Sequence, residues 1–90
     1  MQCSKLIIHG HVQGVCFRQT AKEVATQMKI AGTVRNLPTG DVELVVLGDI
    51  NEAKTLLEYI TKALPAGEVT SFTTSTIDLE IDPKTFSIKH

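Results

Sequence analysis

Aromatic residues are scarce in this chain, which has no tryptophan, one tyrosine and three phenylalanines. A sheet that binds RNA needs exposed aromatic side chains on its central strands for base stacking, and the aromatic residues here lie outside the strands expected to be central. Charge of one sign is also lacking, because nine basic and ten acidic residues leave a formal net charge of −1. A nucleic-acid binder usually carries a clustered excess of lysine and arginine. The chain is therefore not expected to bind nucleic acid.

Cysteine is nearly absent as well, since Cys3 and Cys16 are the only two. Two cysteines cannot define a disulfide scaffold, and we expect both to be reduced thiols. They do not combine with the histidines at positions 9, 11 and 90 into a zinc-binding spacing. No Cys-x-x-Cys loop of a metal carrier follows the first strand. The sequence thus predicts no metal site.

Long apolar runs are missing too. No run approaches the roughly 18 residues that a membrane-spanning helix needs, and residues 1–5 resemble neither a secretory signal nor a transit peptide. Ninety residues, 42% of them hydrophobic, suffice for one small domain. We therefore expect a single domain over residues 1–90, located in the cytoplasm and not bound to a membrane.

Hydrophobic periodicity predicts an alternation of strands and helices. The predicted elements are a strand over residues 5–11, a helix over 18–29 that stops near Gly32, strands over 33–37 and 41–48 joined by a turn at 38–40, a helix capped by Asp49 or Asn51, a loose strand from about 68 that becomes regular over 76–81, and a short strand with Phe86 and Ile88. The strand over 5–11 has apolar residues on both faces, which is typical of a central strand.

The order β-α-β-β-α-β is that of the split βαβ, or ferredoxin-like, arrangement in the α+β class. We expect two helices on one face of a four- to five-stranded antiparallel sheet. Right-handed crossovers favour the strand order 4-1-3-2, which places the first and third strands at the centre. Because this architecture hosts enzymes, RNA binders, metal carriers and sensors, it leaves the function open.

One segment indicates chemistry. The run Gly10-His11-Val12-Gln13-Gly14-Val15-Cys16-Phe17-Arg18 joins the first predicted strand to the first helix. Glycines let successive backbone N–H groups converge on one point, and a helix N-terminus adds unpaired donors and a partial positive charge. The guanidinium of Arg18 adds a planar fork for a pair of phosphate oxygens. This segment therefore predicts a local anion-binding site.

Three blocks of the chain resemble the signature blocks of the acylphosphatase family. They are the run from Gly10 to Arg18, the run Gly32-Thr33-Val34-Arg35-Asn36-Leu37, and Gly40-Asp41-Val42-Glu43. The resemblance extends over essentially the whole chain, because the order of elements and the closing Phe86-Ser87-Ile88 strand also fit. Two positions depart from the family pattern: Thr33 stands where an aromatic residue is common, and Cys16 occupies a variable loop position.

The resemblance implies an enzyme that hydrolyses the carboxyl-phosphate bond of acyl phosphates, without metal or cofactor. It makes Arg18 the phosphate-binding residue and Asn36 the residue that positions the attacking water. It also implies a monomer whose partner is a small-molecule acyl phosphate. The expected phosphate-binding loop supplies the backbone amides of His11, Val12, Gln13, Gly14, Val15, Cys16 and Phe17.

Several residues have alternative interpretations. Taken alone, Arg18 fits a solvated surface residue and Asn36 a turn former. We expect structural roles for His9 and His11, an outward-facing Arg35, and backbone contacts for Gln13. A thiol near a helix N-terminus becomes a nucleophile when its pKa falls, but no paired base for Cys16 is evident. A sensor that binds an anion without turning it over is the alternative function, and the physiological acyl phosphate stays open.

Overall fold

The computed structural model describes residues 2–13, 16–64, 68–79 and 84–89. Five strands and two helices alternate along these ranges in the predicted order. They are β1 (Gln2–His11), α1 (Phe17–Gln27), β2 (Gly32–Asn36), β3 (Val42–Val46), α2 (Ile50–Ala63), β4 (Glu68–Asp78) and β5 (Phe86–Ile88). Neither of these helices is long and apolar enough to cross a bilayer. Both cysteines are thiols, and they form no disulfide.

The strands form one sheet in the order β4-β1-β3-β2-β5. This confirms the predicted order 4-1-3-2 and the central positions of β1 and β3. The two central strands pair antiparallel from Ser4↔Val46 to Ile8↔Val42. β2 and β3 form the predicted hairpin, in which Asn36 pairs with Val42 at the turn end.

The prediction of a purely antiparallel sheet is wrong at one edge. β5 pairs parallel with β2, from Gly32↔Phe86 to Val34↔Ile88, so the sheet is mixed. β4 runs antiparallel to β1 and therefore opposite to β2, and a chain that reverses once after β4 runs in the direction of β2. Phe86 is buried in the core, which holds this short strand at the β2 edge.

The Thr/Ser-rich stretch predicted as a loose strand forms β4 and pairs along most of its length. β4 pairs with β1 from Gln2↔Asp78 to His11↔Glu68, with one shift in register between His9 and Gly10. Backbone pairing with β1 holds this edge strand in the sheet although most of its side chains are exposed, because backbone hydrogen bonds need no buried side chain. The alternation expected over residues 76–81 falls partly outside the described residues.

The core lies between the sheet and the two helices. Leu6 and Ile8 of β1 are buried, as their alternation predicted, and they pack with Leu44 of β3. Both helices contribute small and aliphatic residues to the same cluster, among them Ala21 and Ala25 of α1. The helices therefore cover one face of the sheet.

The end of α1 differs from the prediction at Gly32, which is the first residue of β2. The helix ends at Gln27, and Lys29, two residues further on, has a left-handed backbone with φ 60°. The N–H of Lys29 donates to the Thr26 carbonyl at 3.2 Å and that of Ile30 to the Ala25 carbonyl at 2.9 Å. These are the two bonds of a Schellman motif. Gly32 is needed instead for packing, because a Cβ there would overlap the Val45 carbonyl oxygen.

Candidate active site

The pairing of β1 with β4 is irregular near the end of β1. The pairing register with β4 shifts between His9 and Gly10, and Gly10 has a φ of 131°, a conformation that favours glycine. Pairing with β4 continues through His11, the last residue of β1, and the chain then enters the segment that precedes α1. Gly14 and Val15 of that segment lie outside the described residues.

The N-terminus of α1 has no side-chain cap. Cys16 precedes the helix in a left-handed conformation with φ 64° and ψ 23°, and its side chain accepts no hydrogen bond from the first turn. The first intrahelical bond runs from the Thr20 N–H to the Cys16 carbonyl at 2.9 Å. The N–H groups of residues 17–19 therefore have no acceptor within the helix, and the first turn carries no acidic residue. This terminus suits an anion.

A cavity of about 290 Å³ opens beside this terminus. It is lined by Val12, Cys16, Phe17, Arg18, Gln19, Asn36 and Ile88. Val12 and Phe17 are buried, with exposed fractions of 1% and 2%, so they form an apolar floor. Arg18 and Asn36, predicted from separate blocks of the sequence, thus face one space that is large enough for a small ligand.

Asn36 reaches the cavity from the last position of β2. Its carboxamide makes no hydrogen bond to any part of the chain that the structure describes. Its neighbour Arg35 lies on the other face of the sheet, where Nε donates to Glu43 Oε1 at 2.9 Å. The expected outward orientation of Arg35 is confirmed, and Arg35 does not line the cavity.

The β2–β3 turn is held by polar contacts. His9 Nδ1 lies 2.9 Å from Asp41 Oδ1, and Thr39 Oγ1 donates to Asp41 Oδ2 at 2.9 Å. These hydrogen bonds, that of His9 first, lower the pKa of Asp41 below its ordinary value of 3.8. His9 thus contacts the turn, which fits the structural role expected for it.

The five residues of the predicted loop that the structure describes divide into two groups. Val12, Cys16 and Phe17 line the cavity. His11 is exposed and Gln13 is directed at the β2–β3 turn, where its side chain bonds only to backbone carbonyls, as expected. The contribution of the loop amides to phosphate binding stays a prediction.

Two lining residues were not predicted from the sequence. Gln19 follows Arg18 in the first turn of α1, and its position beside that residue was a usable signal. Ile88 reaches the cavity because β5 pairs with β2 beside Val34. No local sequence pattern predicts such a long-range strand pairing. Among the described residues, no group of three or more histidine, cysteine, aspartate or glutamate side chains is arranged to hold a metal ion.

A model of the acylphosphatase family matches residues 4–88. The chain belongs to the acylphosphatase family. This confirms the resemblance seen in the three sequence blocks, and the matched range includes both Arg18 and Asn36.

Relatives in the acylphosphatase family match over most of the chain. An acylphosphatase of Vibrio cholerae is 33% identical over 87 residues, which cover 97% of this chain and 96% of that protein. An acylphosphatase of Acaryochloris marina is 39% identical over 67 residues, which cover 74% of this chain and 72% of that protein. The crystal structure of acylphosphatase from Bacillus subtilis superposes with a TM-score of 0.84 at 30% identity and covers 100% of both chains.

Proposed function

We propose that this chain is a hydrolase that cleaves the carboxyl-phosphate bond of acyl phosphates into a carboxylate and inorganic phosphate. The observation that carries the proposal is the shared cavity, which Arg18 and Asn36 line beside the uncapped N-terminus of α1. Membership of the acylphosphatase family supports the same reaction. The single domain, the cytoplasmic location and the monomeric state expected from the sequence are part of this proposal.

Arg18 and the start of α1 bind the phosphate. The planar guanidinium of Arg18 presents two parallel N–H donors to two phosphate oxygens, a fixed fork that a lysine ammonium lacks. Residues 16–19 at the start of α1 line the same cavity, where the positive end of the helix dipole favours an anion. In phosphoryl transfer, charge spreads over the three equatorial oxygens, so fixed donors of this kind stabilise the transition state.

Asn36 orients the water. Its carboxamide is neutral at working pH and therefore a poor base, but its oxygen accepts a hydrogen bond from water and its N–H₂ donates to phosphate. A water held opposite the leaving carboxylate attacks phosphorus in line. A bond forms between the water oxygen and phosphorus, the bond from phosphorus to the carboxylate oxygen breaks, and the water proton passes to solvent.

The reaction needs no strong acid or nucleophile, because the leaving group is a carboxylate. An acyl phosphate is a mixed anhydride, and its carboxylate departs without protonation. Positioning and charge stabilisation therefore suffice, which fits a cavity that Arg18 and Asn36 line. We propose that the enzyme uses neither metal nor cofactor, and full activity after exhaustive chelation is the expected result. Loss of activity that a divalent ion restores contradicts this part.

A phosphate-release assay tests the reaction class. The purified chain is offered a panel of acyl phosphates that differ in the acyl group, beside phosphate monoesters of similar size. We expect release from the acyl phosphates with a strong preference over the monoesters. Saturable binding of acyl phosphate without release would instead indicate the anion-binding sensor, and equal release from both classes would contradict the proposed reaction.

A further inference from the structure

Gln13 joins two separate parts of the site. Its Nε2 donates one hydrogen bond to the Leu37 carbonyl at 2.9 Å and a second to the Asp41 carbonyl at 2.8 Å. Both acceptors lie in the β2–β3 turn, 24 and 28 residues further along the chain. Both N–H groups of the carboxamide are thereby used by backbone.

The turn does not need these bonds to close. The Leu37 N–H donates to the Asp41 carbonyl at 2.8 Å, and the Gly40 N–H donates to the Leu37 carbonyl at 3.1 Å. Each carbonyl oxygen has two lone pairs and accepts from the turn as well as from Gln13. Removal of the Gln13 donors therefore leaves both carbonyls bonded, and the turn keeps its own hydrogen bonds.

What the Gln13 bonds add is the position of the turn relative to the loop. Leu37 directly follows Asn36, which lines the cavity, and Gln13 directly follows Val12, which lies in its floor. The far end of the turn is held to β1 through the contact between Asp41 and His9. The Gln13 side chain thus links the residue after Val12 to the residue after Asn36. This link sets the distance between the Asn36 carboxamide and the start of α1.

We propose that Gln13 is a positioning residue that holds the turn carrying Asn36 at a set distance from the phosphate-binding loop. This inference rests on the proposed function, because Asn36 matters only where a water must attack a bound phosphate. Gln13 acts through Asn36 and does not touch the phosphate with its side chain. Binding of phosphate depends on Arg18 and α1, so the loss of Gln13 affects turnover more than binding.

The test replaces Gln13 by methionine, which keeps the length of the side chain and removes both donors. Because a displacement of about 1 Å costs on the order of 10²-fold in rate, we expect Gln13→Met to lower kcat by about ten- to a hundredfold. The competitive inhibition constant of inorganic phosphate should change by less than about threefold, since the charge-assisted contacts stay. Gln27→Met, the same substitution at an exposed position of α1, is the matched control and should leave both values unchanged.

A double-mutant cycle separates positioning from a general weakening of the fold. In an Asn36→Ala background, Gln13→Met should lower kcat by less than about threefold, because residues that act as a unit are not additive. Equal losses of kcat in both backgrounds, or a phosphate inhibition constant that rises as much as kcat falls, would overturn the positioning role. All variants are compared at a temperature where circular dichroism shows each of them folded.

The two proposals fail in different ways. If the wild-type chain releases no phosphate from any acyl phosphate, the proposed function fails and the role of Gln13 falls with it. If the wild type is active and Gln13→Met retains its kcat, only the positioning role fails.

Discussion

The two helices begin in opposite ways. At the start of α2, Asp49 Oδ1 accepts the Glu52 N–H at 2.8 Å, and Glu52 adds a carboxylate to the first turn. At the start of α1, Cys16 offers no side-chain acceptor, the first turn has no acidic residue, and the backbone of Cys16 is left-handed. The N-terminus of α2 therefore has a side-chain cap and an acidic residue in its first turn, and that of α1 has neither.

This difference indicates different roles for the two helix N-termini. A side-chain cap contributes about 1 kcal/mol, and a left-handed non-glycine residue costs roughly 1–2 kcal/mol, so the α1 start is the less stable arrangement. Such departures concentrate at functional sites. The α1 terminus borders the cavity that Arg18 and Asn36 line, whereas Asp49 lies elsewhere. The α2 start serves the fold, and the α1 start borders the cavity of the candidate site.

The largest effect is expected at Asn36, which faces the α1 terminus across the cavity. Asn36→Ala should lower kcat by about 10²–10³-fold, comparable to the loss of one transition-state donor, with a small change in KM. Steady-state phosphate release measures both values. Wild-type kcat in this variant would mean that the attacking water is positioned elsewhere.

Arg18 should give the next effect, on binding and rate together. A charge-assisted contact to phosphate contributes about 1.5–3 kcal/mol, so Arg18→Ala should lower kcat/KM by roughly 10- to 150-fold. Arg18→Lys keeps the positive charge but loses the planar pair of donors, so its kcat/KM should lie between those of the wild type and of Arg18→Ala. The same assay decides, and a lysine variant as active as the wild type would remove the case for paired donation.

An acidic residue placed in the first turn of α1 makes that turn resemble the first turn of α2. Gln19→Glu puts a carboxylate beside the expected phosphate, and we expect the inhibition constant of inorganic phosphate to rise about tenfold. Glu52→Gln makes the opposite change in α2 and is the matched control, expected to leave kinetics unchanged. A Gln19→Glu variant that binds phosphate as well as the wild type would place the anion away from this terminus.

Loss of the α2 cap should affect stability alone. Asp49→Ala removes the acceptor of the Glu52 N–H and should lower the free energy of unfolding by about 1 kcal/mol, which lowers the melting temperature by roughly 4–8 °C in a domain of this size. Calorimetry measures the change, and phosphate release should stay at the wild-type rate. A large loss of activity in the folded variant would erase the distinction between the termini.

The smallest effect concerns the turn that faces α1. Because the hydrogen bond from His9 lowers the pKa of Asp41 in the folded chain below 3.8, the unfolded chain binds the proton more readily near that pH. The resulting stabilisation is present above pH 3.8 and is lost as the pH falls through the lower folded value. Urea unfolding between about pH 5 and pH 3 should show a smaller loss of stability for Asp41→Asn than for the wild type. Equal losses would mean that this pair contributes nothing.

Local patterns in the sequence were sufficient for much of the fold. Alternation and helical periodicity predicted the order of elements, and capping preferences left Asp49 or Asn51 as the cap of α2, of which the structure has Asp49. The parallel pairing of β5 was missed, because it depends on the direction of a strand that is distant in sequence. The sequence predicted a helix stop near Gly32. Glycine is needed there for another reason, because a Cβ would overlap the carbonyl oxygen of Val45, which is distant in sequence.

The site was predictable where a residue stands in a recognisable block. Arg18 and Asn36 were both selected from the sequence, and the structure brings them to one cavity. Ile88 and the bonds of Gln13 to the turn arise from tertiary contacts, which periodicity does not encode. The left-handed backbone of Cys16 was equally hidden, because non-glycine residues adopt it only where the surrounding structure imposes it.

The most direct test of the central claim follows amide resonances while inorganic phosphate is titrated into isotope-labelled protein. We predict saturable shifts at the backbone amides of residues 16–20 and at the side-chain amide of Asn36, with none at residues 49–53. Shifts of equal size at both helix N-termini, or saturation at α2 alone, would contradict the assignment of the phosphate site to α1.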